Sequence, residues 1–223
     1  MKEVFETRMD DFLTPRQKAL RARVRGQFED GERAGRPEGE SLEEFFAELR
    51  KEADGPGLLG WVLVIEEVSS RSPLLGKELS GKRAPVWGDG LPVSSIAAAA
   101  SIGAGAFVLE ACARAARDKG MFESVLMEAG RLQQALADFA AGLEAVRFET
   151  YRSLLLVEKG EKEQGGDELE RAAARAAGLR DEILRLAAGL LGEDWLRDRL
   201  PPRPAEDRKI PGELTERKER SEP

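Results

Sequence analysis

The chain of 223 residues contains no histidine, and this absence excludes several kinds of active site. A catalytic triad with His as its base, a His-ligated metal and a haem held by His all require an imidazole. The single cysteine, Cys112, permits no disulfide within the chain, which suits a reducing compartment. Cys112 lies in an apolar helical pattern, so we interpret it as a small buried side chain.

Aromatic residues are also scarce, at 6%, and β-branched residues nowhere alternate with polar ones over the length of a strand. Ala, Leu, Glu and Arg dominate instead, and these residues favour helices. The sequence therefore predicts an all-α protein.

The net charge of −7 is spread over interspersed acidic and basic residues, and it argues against a nucleic-acid partner. The Arg-rich stretch 16–25 has apolar residues at helical spacing, so we interpret its charges as a solvated helix face. The apolar stretch 96–109 is too short for a membrane span, and the first eleven residues lack the apolar core of a signal peptide. We therefore expect no membrane span and a cytoplasmic location.

Capping residues and turn residues predict where the helices begin and end. Residues 14–17 (TPRQ) and 41–44 (SLEE) are capping boxes, and Ser94 and Ser95 cap an Ala-rich helix. The predicted helices begin at residues 15, 41, 58, 94, 123 and 167. We divide the chain into an N-terminal helical region at 1–72, a Gly/Pro-rich crossover at 73–93, a C-terminal helical bundle at 94–200 and a charged tail at 201–223, which we expect to be disordered.

An apolar stripe with helical spacing runs along the predicted helix 123–158. Its members are Leu132, Leu136, Phe139, Leu143 and Val146. The stripe fits either a coiled coil with a partner or the core of the bundle. We favour the core, because neighbouring helices of similar length are predicted.

Three segments resemble acyl-CoA dehydrogenases, in the same order as in that family. They are residues 11–21 (DFLTPRQKALR), residues 62–73 (VLVIEEVSSRSP) and residues 136–152, which follow the Ala-rich run at 101–111. The resemblance implies the family's N-terminal helices and C-terminal helical bundle. The family's central β-sandwich, which carries much of the flavin and acyl-CoA site, is missing, because the crossover 73–93 is far too short for it.

The resemblance also indicates where flavin contacts and a catalytic base would lie. The family's Arg-x-Gln-Phe-Gly motif corresponds to Lys119-Gly120-Met121-Phe122-Glu123, so only Lys119 and Phe122 remain as candidate cofactor contacts. Glu123 would repel a pyrophosphate, and Lys119 is better interpreted as a helix-end cation.

No carboxylate matches the position of the family's base. The nearest in the sequence, Asp89 and Glu193, are interpreted as loop or helix-end charges, so we assign no catalytic residue and no metal ligand.

The resemblance implies a non-catalytic accessory subunit of a heteromeric acyl-CoA dehydrogenase complex. The partner would be a full-length acyl-CoA dehydrogenase paralogue that carries FAD and the chemistry, and the complex could pass electrons to an electron-transfer flavoprotein. This chain would hold no cofactor by itself. Two alternatives stay open: a contribution to a flavin and acyl-CoA site shared with the partner, and a helical scaffold or regulatory protein with no acyl-CoA role.

Overall fold

The computed structural model describes residues 13–34, 57–81, 92–118 and 126–200. Within these ranges the chain forms helices and turns but no strand, which confirms the all-α prediction. The helices are α1 (Pro15–Ala34), α2 (Gly57–Arg71), α3 (Pro73–Gly81), α4 (Val93–Asp118), α5 (Leu126–Glu158), α6 (Lys162–Leu191) and α7 (Glu193–Arg199).

The predicted capping box at the start of α1 is confirmed. The backbone N–H of Gln17 donates to Thr14 Oγ1 at 3.3 Å, and the backbone N–H of Thr14 donates to Gln17 Oε1 at 2.9 Å. Two backbone donors that the helix cannot satisfy are paired in this way. The second predicted capping box, at 41–44, and the tail 201–223 lie outside the described residues.

Helix α2 is the central helix of the fold, and every residue from Leu59 to Ser69 is buried. A helix that is apolar on nearly all sides must be surrounded by others, and α2 packs against α1, α3, α4 and α5. Helix α4 crosses it very closely at Gly103, where an added Cβ would lie only 2.4 Å from the backbone oxygen of Glu66. Only glycine permits this approach.

Helices α4, α5 and α6 form the rest of the bundle. Helices α5 and α6 are antiparallel, joined by the short connection 159–161, and α4 runs beside α6 in the same direction. The predicted core stripe of α5 is confirmed: Leu136, Leu143 and Val146 are buried, and the other two members are partly buried against the same clusters.

One apolar cluster joins residues from both sides of the predicted crossover. It combines Leu20 and Val24 of α1 and the apolar residues of α2 with Ile96 of α4 and with Tyr151 and Leu154 of α5. The first part of the predicted crossover is helical, and Pro73 is the first residue of this helix, α3, a position that proline favours. Leu79 of α3 is buried in the same apolar cluster.

Two other helix boundaries differ from the sequence prediction. Helix α6 begins at Lys162 rather than at 167, so Gly165 lies within α6 instead of before it. Gly165 packs tightly there against Val157 and the backbone of Ser153, which belong to α5. Helix α4 begins at Val93, so Ser95 lies in its first turn and donates to the backbone oxygen of Pro92 at 2.6 Å.

By length and composition, α4 could cross a membrane, in contrast to the short span estimated from the sequence. Half of its most apolar window is buried against other helices of the fold. Burial of this kind is also typical of a core helix, so the feature by itself is weak evidence for a membrane span.

Candidate functional site: a buried cluster of arginines and glutamates

Two adjacent carboxylates, Glu66 and Glu67, lie in the middle of α2 and are only 2% and 3% exposed. Successive residues of a helix point in directions about 100° apart, so the two side chains face different neighbours. Glu66 faces α5, and Glu67 faces α1. A buried carboxylate requires compensating cations or hydrogen-bond donors, and both neighbouring helices supply them.

Glu66 is bound by two side chains of α5 that lie one helical turn apart. Arg147 Nε donates to its Oε1 at 2.7 Å, and the Tyr151 hydroxyl donates to its Oε2 at 2.7 Å. Arg21 of α1 adds Nη2 at 3.5 Å from Oε1. Both carboxylate oxygens therefore have charged or hydrogen-bonded partners from other helices.

Glu67 is bound mainly from α1, by two arginines that also lie one turn apart. Arg25 donates through Nε to Oε1 at 2.7 Å and through Nη2 to Oε2 at 3.3 Å, and Arg21 Nε lies 3.3 Å from Oε2. Arg71 of α2 itself lies further away, with its Nε 3.7 Å from Oε1. The guanidinium of Arg21 therefore bridges the two carboxylates.

The cluster fixes the ionisation of its members. Burial acts to raise the pKa of Glu67, but the hydrogen bond and charge of Arg25 and the charges of Arg21 and Arg71 outweigh it, and the pKa is lowered. Burial and the neighbouring charge of Glu66 raise the pKa of Tyr151 well above 10. Burial acts to lower the pKa of Arg147, but the attraction of the Glu66 carboxylate outweighs burial, and the pKa of Arg147 is raised. Glu67 thus stays ionised, and Tyr151 stays a hydrogen-bond donor.

This arrangement is suited to holding helices together and poorly suited to proton transfer. A general base needs an accessible lone pair and a pKa near the working pH. Glu66 and Glu67 are buried, and each accepts donors from a neighbouring helix. Arg147 is additionally paired with Glu144 on its own helix. We call the contacting residues the Arg–Glu cluster; they are Arg21, Arg25, Glu66, Glu67, Arg147 and Tyr151. We therefore interpret the cluster as a set of contacts that positions α1, α2 and α5 relative to one another.

Most of the sites predicted from the resemblance lie outside the part of the chain that the structure describes. These are Lys119, Phe122 and Asp89. Glu193 is described, and it is the exposed first residue of α7. Glu193 is not a member of the Arg–Glu cluster.

The interpretation of 16–25 as a solvated face was wrong at Arg21, which is buried at 9% exposure. The signal that could have corrected it is the Glu66–Glu67 pair, because an acid pair in a helix that is apolar on every side requires buried cations nearby.

Cys112 is buried, as expected, and burial raises the pKa of its thiol to about 11. A thiol that stays protonated at neutral pH is a poor nucleophile and a poor metal ligand. Among the described residues there is no group of three or more Cys, Asp or Glu side chains that could hold a metal ion.

No family model matches the chain, and no curated protein or solved structure matches it either.

Proposed function

We propose that this chain is a non-catalytic helical subunit of an acyl-CoA dehydrogenase assembly, in which a full-length partner supplies the β domain, FAD and the catalytic base. The subunit contributes a bundle of helices to the assembly. The resemblance of three segments to acyl-CoA dehydrogenases points to this family. The arrangement of those segments in the fold supports the proposal.

The observation that carries the proposal is the meeting of the three resembling segments at the Arg–Glu cluster. The segment on α1 supplies Arg21, the segment on α2 supplies Glu66, and the segment on α5 supplies Arg147 and Tyr151. Three segments that are far apart in sequence therefore contact one another in the fold. We expect such a set of helices to be retained together when the rest of an enzyme is lost.

The chemistry of the cluster favours a structural role over a catalytic one. Glu66 and Glu67 are buried and held by arginines, so neither offers a carboxylate that could take the α-proton of an acyl-CoA. The partner would therefore supply the base, and it would bind FAD through its own β domain.

Co-expression with a full-length acyl-CoA dehydrogenase from the same genome tests the proposal. The tagged chain is expected to co-purify with that enzyme and with the absorption bands of oxidised flavin. The chain alone is expected to show neither flavin bands nor acyl-CoA-dependent reduction of a dye. An acyl-CoA dehydrogenase from an unrelated genome serves as the specificity control.

Two outcomes would contradict the proposal. A chain that purifies alone and associates with no acyl-CoA dehydrogenase would favour the scaffold alternative, and a chain that oxidises acyl-CoA by itself would show a catalytic site of its own. The shared-site alternative is tested by Lys119→Glu in the complex. It requires a loss of flavin or activity that the matched Lys162→Glu change, at the exposed start of α6, does not cause.

A further inference from the structure

The short helix α7 follows α6 directly, and Gly192 forms the turn between them. Gly192 has φ +90° and ψ 155°, a backbone conformation that residues with a Cβ rarely adopt. An added Cβ at this position would meet no described atom within 4 Å, so the restriction comes from the backbone alone. The turn directs α7 toward α4, where Trp195 meets Phe107.

Among the described residues, apolar contacts hold α7 against the bundle. The indole of Trp195 stacks on the ring of Phe107, with ring centroids 6.0 Å apart and an interplanar angle of 20°. Leu196, and Leu200 just after the helix, are partly buried against the apolar cluster of α4, α5 and α6 that contains Ile183. These three side chains are therefore the anchors of α7.

The polar side chains of α7 interact within the helix itself. Arg197 Nη1 donates to Asp194 Oδ1 at 2.8 Å, and these side chains are 72% and 88% exposed. None of the seven residues of α7 is buried. Across the described ranges, no side-chain hydrogen bond or ion pair connects α7 with another helix. Detachment of α7 therefore breaks no such polar contact.

Helix α7 is too short to persist when it is detached. Isolated helices of fewer than about 12 residues are marginal in water, and α7 has seven. Its helical form therefore depends on the docking of Trp195, Leu196 and Leu200. Helices α4, α5 and α6 pack directly against one another, so the bundle does not depend on α7 in the same way.

We propose that α7 is a hinged cap, which exchanges between a docked helix and a detached, unwound segment while the bundle stays folded. The docked state covers Phe107 and the adjacent apolar surface of α4 and α6. The detached state exposes this surface. A ligand of the surface has to compete with the cap, because it binds only the detached fraction. The cap is therefore an autoinhibitory contact within the chain.

Native-state hydrogen exchange of the full chain, read by mass spectrometry, tests the proposal. The amides of residues 197–200 are expected to exchange at least about 100-fold faster than those of residues 180–187 in α6, because local opening requires less free energy than unfolding of the bundle. Low concentrations of urea should leave the exchange of 197–200 unchanged, since a local opening exposes little surface.

Two variants favour the detached state for different physical reasons. Trp195→Ala removes the aromatic anchor on Phe107. Gly192→Ala keeps every side-chain contact of α7 but disfavours the positive φ of the turn. Each change is expected to speed the exchange of residues 197–200 about tenfold and to leave that of residues 180–187 unchanged.

Each variant has a matched control. Gly189 is exposed in α6, has no positive φ and has no described atom within 4 Å of an added Cβ, so Gly189→Ala should not speed the exchange of residues 197–200. Asp198 is exposed on α7, and Asp198→Ala should not speed it either. The fluorescence of the apolar dye 8-anilinonaphthalene-1-sulfonate should rise with Trp195→Ala and Gly192→Ala and stay unchanged with the two controls.

Several results would overturn the proposal. Amides of α7 that exchange only as the bundle unfolds would do so, as would a Gly192→Ala variant that behaves like Gly189→Ala. Faster exchange of residues 180–187 in the Trp195→Ala and Gly192→Ala variants would show that the whole bundle loosens and that α7 is no separate cap. These measurements involve no acyl-CoA dehydrogenase, so their outcome is independent of the co-purification test.

Discussion

Tyr151 donates a hydrogen bond to Glu66, with 2.7 Å between its hydroxyl oxygen and Oε2, although 85 residues separate the two in sequence. Both side chains are buried, and Arg147 binds the other carboxylate oxygen of Glu66. This contact joins the central helix α2 to α5. A buried ionic network contributes little net stability compared with apolar packing, but its geometry is exacting. We therefore expect the cluster to specify how the helices are arranged.

Replacing Tyr151 by Phe removes the donor to Glu66 Oε2 and keeps the ring. We expect the free energy of unfolding to fall by about 2 kcal/mol, because hydrogen bonds to charged groups contribute about 1.5–3 kcal/mol. Urea denaturation at neutral pH measures the change.

Ser69→Ala is the matched control for loss of a buried hydroxyl. Ser69 is 1% exposed, and among the described residues its Oγ has no hydrogen-bond partner. A buried hydroxyl without a partner already carries a desolvation penalty, so its removal should leave the free energy of unfolding unchanged or raise it. Equal losses in the two variants would show that the Tyr151–Glu66 hydrogen bond has no special importance.

Replacing Arg147 by Ala should lower the free energy of unfolding by more than Tyr151→Phe does. The change leaves Glu66 with one cation fewer in a buried site, and breaking a buried ion pair from one side costs about 3–5 kcal/mol. The exposed pair between Arg114 and Glu110 offers a comparison, because surface pairs contribute about 0–1 kcal/mol. Arg114→Ala should therefore have little effect in the same denaturation experiment, and a loss similar to that of Arg147→Ala would contradict the role of burial.

The lowered pKa of Glu67 predicts how stability depends on pH. A carboxyl whose pKa is lower in the folded chain than its usual value of 4.5 binds protons more readily when unfolded. Its contribution to stability is therefore complete above that value and is lost as the pH falls through the folded pKa. Glu67→Gln removes this contribution, so the gap in unfolding free energy between wild type and variant should narrow below about pH 4.5. Parallel curves across the acid range would contradict the prediction.

The all-α class and the core stripe of α5 could be predicted from the sequence, because they depend on local periodicity. Helix α3 could not, because its short apolar pattern lies among Gly and Pro residues that mark turns equally well. The acid pair Glu66–Glu67 in an apolar helix indicates that buried cations lie nearby, but the sequence does not show that Arg21 is one of them. Helical spacing alone places Arg21 on a solvated face, and the position of α2 in the fold shows that α2 covers it.

The close crossing of α2 and α4 provides the last prediction, which concerns Gly103. A Cβ at this position would lie 2.4 Å from the backbone oxygen of Glu66, and neither backbone can move without shifting a helix. Gly103→Ala should therefore lower the free energy of unfolding by at least about 2 kcal/mol, despite the better helix propensity of Ala. Gly178 is the matched control, because it is exposed in α6 with nothing within 4 Å of an added Cβ. Gly178→Ala should increase stability by about 0.5–1 kcal/mol. Thermal and urea unfolding of the two variants would measure opposite signs, and a stabilised Gly103→Ala would show that the helices do not cross at this distance.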